Sequence, residues 1–412
     1  MNTLKLRSLT TVVAALVLSL PVASARTWTS ADGSATFEGE LLSYDAETGT
    51  VGVTHSNGNK MVFNQDKLSA DDITFLKENG NVAAPAPAPT APPAGGATGG
   101  SVDVKSLPEV LPDPDGKEAD MSKPVQVYIL MGQSNMLGFG NAGQLKGIAA
   151  EKYPYLVDDS GGWNVRKDVR NVFYCMGAQR YNDWLTAGNG NGSGSFGTEI
   201  GIGNYLGHAI DAPVLILKSC VGNRALGWDL LPPSAVGTGK DGKSYQGDSE
   251  SSNRMVSEEV RAANGGWYAG LQYDQDVGAA QNVLKNLSDY YPGAKEYEVA
   301  GFFWWQGNAE PGKGNVDAYD KNLAFLFNDL KKDFNAPNAK FVCATLGEHD
   351  ESATLSKKMY DFAAMPEFKD KAAVFYSKPG SKGGSGGHYG KDAETYMYVG
   401  EGMGKAMVEL LK

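Results

Sequence analysis

One serine in this 412-residue chain stands where a nucleophile would be displayed. An apolar run over residues 125–131 passes straight into Gly132-Gln133-Ser134-Asn135-Met136. The glycine permits a sharp turn. The serine then falls at the carboxyl end of a buried strand, beside a helix start whose first N–H groups lack intrahelical acceptors. A serine there is either a helix N-cap or a nucleophile with backbone donors facing a developing oxyanion. A nucleophilic serine needs a base, and near neutral pH imidazole, with its ordinary pKa of ~6.5, is the natural choice. There are four histidines: His55, His208, His349 and His388. His55 falls in an N-terminal β segment and His208 on a helical pattern. His349 lies between Glu348 and Asp350 after a strand-like run. His388 lies in a glycine-rich loop just before the last helical pattern, the better place from which to present a ring to strand ends, and it is ranked ahead of His349.

Three other patterns imitate chemistry. Residues 237–244 spell a P-loop, but Pro232-Pro233-Ser234 precedes them and loop composition follows; a P-loop needs a strand before it and a helix after it. Gly247-Asp248-Ser249 has no strand leading in. Residues 383–387 satisfy Gly-x-Ser-x-Gly within a glycine tract that lacks the strand–turn–helix setting of a nucleophile elbow.

The elements that must hold Ser134 and His388 come from hydrophobic periodicity. Apolar runs recur at residues 125–131, 214–217, 299–305, 341–346 and 372–376. Between them lie amphipathic helical patterns, with Val277, Ala280, Leu284 and Leu287 on one face, and Tyr396, Val399, Met403, Ala406 and Leu410 on another. Continuous apolar strands alternating with helices predict a parallel sheet covered on both faces, with its site at the carboxyl ends of the strands. This α/β domain spans residues 122–412. Residues 26–80 alternate apolar and polar positions between turn-formers and end in a helix capped by Ser69, which predicts a small β unit. Residues 81–121 read as a linker: in residues 81–100 there are seven alanines, five prolines and four glycines, a composition that stays extended and buries no core. Residues 1–25 carry Lys5 and Arg7, an apolar run and Ala23-Ser24-Ala25, the pattern of a Sec-type signal peptide. The expected location is therefore secreted or periplasmic.

Composition narrows the partners. The net charge is −11, or −13 once Lys5 and Arg7 are removed. This argues against nucleic acid, which needs a positive surface, and against an anionic membrane. The three cysteines, Cys175, Cys220 and Cys343, are too few for a disulfide scaffold. Cys220 and Cys343 either pair or remain buried thiols. No Cys/His cluster suggests a metal, and no cofactor is implied.

The block Gly132-Gln133-Ser134-Asn135-Met136 resembles the nucleophile block of the SGNH/GDSL hydrolases, and more narrowly of their sialate O-acetylesterase-like branch, which includes the acetylxylan esterases of carbohydrate esterase family six. The resemblance continues through Phe196-Gly197-Thr198-Glu199-Ile200-Gly201, Leu217-Lys218-Ser219 with Gly222-Asn223-Arg224, Phe303-Trp304-Trp305-Gln306-Gly307, and Gly387-His388-Tyr389. It implies a flavodoxin-like three-layer α/β/α domain and removal of acetyl groups from carbohydrates. It implies Ser134 as nucleophile, His388 as base, and Gly197 with Gln306 as oxyanion donors, Asn308 being the alternative to Gln306. The family's Asp-x-x-His pattern is broken: Ser385 stands where the aspartate would be. The group that orients His388 is then a backbone carbonyl, or a carboxylate such as Glu310, Asp350 or Asp392. The missing aspartate also admits a carbohydrate-binding protein with a decayed hydrolase site, and the serine chemistry admits lipid or aryl esters. Trp228, Trp304, Trp305 and Tyr389 either pack the core or offer stacking faces to a sugar. Residues 26–80, with Arg26-Thr27-Trp28-Thr29 and Lys67-Leu68-Ser69, resemble the Sla-one homology (SHD-type) domains, which implies an SH3-like barrel that binds a protein or polysaccharide.

Overall fold

A computed structural model describes residues 26–46, 49–55, 60–79, 102–188, 194–242 and 268–412. The proposed signal peptide, most of the linker, Gly247-Asp248-Ser249 and the end of the P-loop-like stretch lie outside them. The chain divides into two compact units, Met1–Pro93 and Ala94–Lys412.

In the first unit, β1 (Arg26–Thr29), β2 (Thr36–Asp45), β3 (Thr50–His55) and β4 (Lys60–Asn64) form an antiparallel meander in sequence order. Its ends meet through a bridge between Ser30 and Leu68. Helix α1 (Ala70–Asn79) follows. Ser69 caps it as expected: its Oγ accepts from Asp72 N–H (3.2 Å) and donates to Asp72 Oδ2 (2.9 Å). Trp28, Leu41, Val51, Val53 and Leu76 make a small core.

The second unit is built on a seven-stranded sheet. Its strands are β5 (Val125–Gly132), β6 (Arg166–Cys175), β7 (Ala178–Leu185), β8 (Val214–Ser219), β9 (Tyr297–Trp305), β10 (Lys340–Ala344) and β11 (Ala372–Phe375). The spatial order is β11-β10-β9-β5-β8-β6-β7. All neighbours are parallel except the β6–β7 hairpin. The three-layer expectation holds, and the five strands predicted from the apolar runs lie in the order β8-β5-β9-β10-β11, the flavodoxin-like 2-1-3-4-5 succession; the β6–β7 hairpin is added outside β8, and after β8 the chain crosses to the other side of β5 to lay down β9. The switch point therefore lies between β5 and β9.

Strand side chains alternate between two cores. Tyr128, Leu130, Ile216, Phe303 and Trp305 face α3 (Ala142–Lys152), α4 (Glu199–Ala209) and α8 (Ala393–Leu411). Val127, Ile129, Leu217, Phe302 and Trp304 face α5 (Leu271–Lys285), α6 (Tyr319–Asp333) and α7 (Thr354–Ala363). A bulge between Val299 and Gly301 shifts the phase of β9. Beyond it the regular pleat resumes, and Trp304 and Trp305, as neighbours on the strand, point into opposite layers. Cys220 and Cys343 also belong to opposite layers and are unpaired, as is Cys175.

Residues 102–121 depart from the expected linker. Val104 bridges to Ile210, Leu111 is buried, and Val102 and Leu107 pack against the same core. These apolar side chains, spaced two to four apart, hold the stretch on the large unit despite its prolines.

Candidate active site

The site grows from the ends of β5 and β9. Gly132 ends β5 at φ +147°, and a Cβ there would lie 2.4 Å from the carbonyl oxygen of Trp305 on β9. Only glycine fits this approach, so the turn is set by the neighbouring strand. Gln133, buried, donates its N–H to Trp305 O (3.3 Å). Its side-chain oxygen accepts from the N–H groups of Gly307 (3.4 Å) and Ala309 (3.2 Å). Gln133 thereby clasps the loop leaving β9, and Asn308 on that loop is exposed. Ser134 follows, half-buried, as the first residue of the one-turn helix α2 (Ser134–Leu137). A Cβ on Gly222, in the loop after β8, would come within 3.3 Å of Ser134 Cβ. Three loops thus converge on Ser134.

The loop carrying His388 comes down beside α2; residues 385–391 pack against it. His388 and Tyr389 both adopt left-handed backbone, at φ 51° and 53°. For non-glycine residues this costs ~1–2 kcal/mol each, and Tyr389 makes it hold. Its ring is 1% exposed, stacks on Trp305 at 5.4 Å, and its hydroxyl accepts from Gly347 N–H at 3.1 Å. The imidazole of His388 lies flat on Phe139, centroids 4.0 Å apart and planes 12° apart. No hydrogen bond joins it to Ser134 among the described residues. Partial burial and the neighbouring Lys391 charge hold its pKa below the ordinary imidazole range. His349 is half-buried, with Nδ1 out of water and unpartnered.

None of the carboxylates expected to orient His388 does so here. Glu310 is fully buried and accepts from the N–H groups of Leu226 (2.7 Å), Gly227 (2.9 Å) and Asn315 (2.8 Å); burial nevertheless pushes its pKa up. Asp350 pairs with Lys378 at 2.7 Å. Asp392 caps α8 through Thr395 N–H at 2.9 Å. Ser385, in the place of the family's aspartate, is buried and turned away: its hydroxyl donates to Glu348 Oε1, its N–H donates to Glu348 Oε2 (3.1 Å), and it accepts from Asn308 Nδ2 (3.2 Å).

The two expected oxyanion donors are committed elsewhere. Gly197 N–H donates to Glu199 Oε1 at 2.8 Å. Gln306 is fully buried; its amide donates to Arg224 O (3.0 Å) and Glu310 Oε2 (3.2 Å), while its oxygen accepts from the Tyr319 hydroxyl (2.7 Å). This corrects the sequence reading: a polar side chain at the end of a core strand is drawn into the interior network, whereas Asn308, two residues on, reaches the rim. Of the two readings of the aromatics, core packing holds for three, and Trp228 is half-buried. Trp304, Trp305 and Tyr389 are each at most 1% exposed, and Trp228 packs beside Leu231 and Ala269.

Sequence reasoning missed the support beneath the serine. Lys218 Nζ, buried, donates to Leu137 O at the end of α2 (2.8 Å) and to Glu199 Oε2 (2.9 Å). One ion pair thus ties the serine's helix to the Gly197 turn. Lysine within an otherwise apolar strand was the available signal.

Residues 246–409 match the family model described as carbohydrate esterase, sialic acid-specific acetylesterase. Asn308, Ser385 and His388 lie inside that match; Ser134 and Gly197 lie before it. No curated protein sequence matches the chain. Among solved structures, a protein of Arabidopsis thaliana is similar at 12% identity and a TM-score of 0.40, covering 69% of this chain and 98% of its own. A carbohydrate acetylesterase from Xanthomonas citri is similar at 15% identity and 0.40, covering 68% of this chain and 55% of its own. NanS is similar at 13% identity and 0.34, covering 61% and 78%.

Proposed function

We propose that the chain is an exported serine esterase that removes O-acetyl groups from carbohydrates. The observation that carries the reading is the convergence of the Ser134 and His388 segments at the switch point of the sheet, where ligands of open α/β sheets bind. The family match over residues 246–409 supports the carbohydrate ester as the substrate class.

In this reading Ser134 Oγ attacks the acetyl carbonyl carbon while His388 takes the hydroxyl proton. The negative oxygen is met by the Ser134 N–H and the Asn308 amide; loss of one such donor typically costs ~10²–10³ in rate. Collapse of the tetrahedral intermediate breaks the bond to the sugar oxygen, which receives the proton from His388. Water, deprotonated by the same imidazole, then attacks the acetyl-serine; the acyl–Oγ bond breaks, His388 returns the proton to Ser134 Oγ, and acetate leaves. The N-terminal unit would serve attachment to a protein or polysaccharide.

Ser134→Ala is expected to keep its fold and lose hydrolysis of a chromogenic acetate. His388→Ala should lose it too, while His349→Ala retains it. Wild-type activity in Ser134→Ala would remove the mechanism. The unbonded Ser134 and His388 side chains favour one second reading, a carbohydrate-binding protein with a decayed site. Covalent labelling of Ser134 by a fluorophosphonate separates the two, since a decayed site does not react.

A further inference from the structure

We propose that Phe139 is the positioning partner of His388, doing with an aromatic face what a carboxylate does in an Asp–His pair. The inference rests on His388 being the base.

A catalytic imidazole needs two things from its partner: a fixed ring plane, and stabilisation of the imidazolium formed when the proton is taken. The stack at 4.0 Å and 12° supplies the first. It is held on both sides. The buried Tyr389 pins the left-handed turn that carries His388, and Phe139 packs on the core beneath α4 and α8. Phe139 also lies two residues after α2, so the segment that displays Ser134 brings the stacking ring with it.

The second need is met by the ring's negative π face, which attracts a cation held over it. Among the described residues, no carboxylate bonds to His388. The charge acting on His388 is Lys391, from its own loop. Across from it, α2 contributes only uncharged side chains. On the adjoining loops, Glu348 is held by Ser385, Asp392 by Thr395, and Asn308 is neutral.

The test compares Phe139→Leu with Phe139→Tyr. Leucine keeps bulk and removes the π face; tyrosine keeps the face. Phe139→Leu is expected to lower kcat on an aryl acetate about tenfold with KM within about twofold. The acid limb of its pH profile should move down by about half a pH unit, the shift a solvent-near cation–π contact supports. Phe139→Tyr should restore both. Proton NMR of the wild-type protein adds a readout independent of activity: the His388 ring protons should lie upfield, shifted by the Phe139 ring current, and the same half-unit change should appear in their titration. Wild-type kcat and His388 titration in Phe139→Leu would overturn the proposal. So would absent ring-current shifts, or equal impairment of the tyrosine variant. Activity surviving His388→Ala would sink the underlying reading instead, while the NMR result would still report whether the stack exists.

Discussion

Lys218 Nζ and Glu199 Oε2 meet at 2.9 Å with both side chains withdrawn from water. The pair bonds outward in two directions, to Leu137 O below Ser134 and from Gly197 N–H to Glu199. Removing one partner leaves a buried charge uncompensated, which typically costs about 3–5 kcal/mol. Lys218→Met should therefore lower the unfolding free energy by roughly that amount in a denaturant titration. The double variant Lys218→Met with Glu199→Gln should recover much of the loss, because no bare charge remains. Equal stabilities for the single and double variants would contradict this account.

A second expectation concerns the turn before Ser134. In Gly132→Ala the added methyl would sit 2.4 Å from Trp305 O, on a backbone at φ +147°. Neither strand can yield easily, since β5 and β9 pair over eight registered positions. Overpacking of this kind costs roughly 1–3 kcal/mol, with backbone strain of similar order added. Thermal melting should show the loss, and fluorophosphonate labelling of Ser134 should slow in the fraction that remains folded. A variant as stable and reactive as wild type would mean that the two strand ends are not so close.

The five apolar runs at residues 125–131, 214–217, 299–305, 341–346 and 372–376 each coincide with a strand; the four inner ones are buried on both faces and so read as near-continuous apolar runs, while β11 is a short, half-buried edge strand. The hairpin β6–β7 escaped notice for the converse reason. Its strands, with Arg166, Lys167, Asp168 and Arg170 in one and Arg180, Asn182 and Asp183 in the other, form an edge where one face meets solvent. The placement of Ser134 after β5 and of His388 in a loop before the last helix was legible because turn glycines and a scarce residue type mark them locally. The roles of Gln133, Glu310 and Lys218 were not, because each depends on at least one partner 81 to 176 positions away. A long-range contact with Arg224 also draws Gln306 inward, whereas Gly197 is held by Glu199 only two positions on.

Asp276 carries a pH dependence. It is fully buried between β8 and α5, with Gln272 Nε2 donating at 2.7 Å and the second carboxylate oxygen unpartnered. Burial pushes its pKa from the ordinary 3.8 up to about 7. The folded state thus holds this proton more tightly than the unfolded state. The associated stability is complete below the unfolded value, and falls as pH rises through about 7. Asp276→Asn, uncharged at every pH, should gain stability relative to wild type as pH increases. Unfolding free energies of both proteins at pH 5 and pH 8 check this; a pH-independent difference would assign the slope to other groups.

Ser385→Asp rebuilds the Asp-x-x-His spacing of the family, yet the structure argues that it will not rebuild an Asp–His pair. The Ser385 hydroxyl and N–H both point at Glu348, and its oxygen accepts from Asn308. An aspartate in that buried position would set a carboxylate against the Glu348 carboxylate, and like charges held that close repel and raise each other's pKa. The hydroxyl donor to Glu348 would vanish at the same time. The substituted loop should loosen, and with it the turn that carries His388 and the amide of Asn308. Ser385→Asp is thus expected to lower kcat, and Ser385→Asp with Glu348→Gln to recover part of the loss by removing the repulsion. A rise in kcat in the single variant would mean that the new carboxylate reaches the imidazole, and that Glu348 gives way to it.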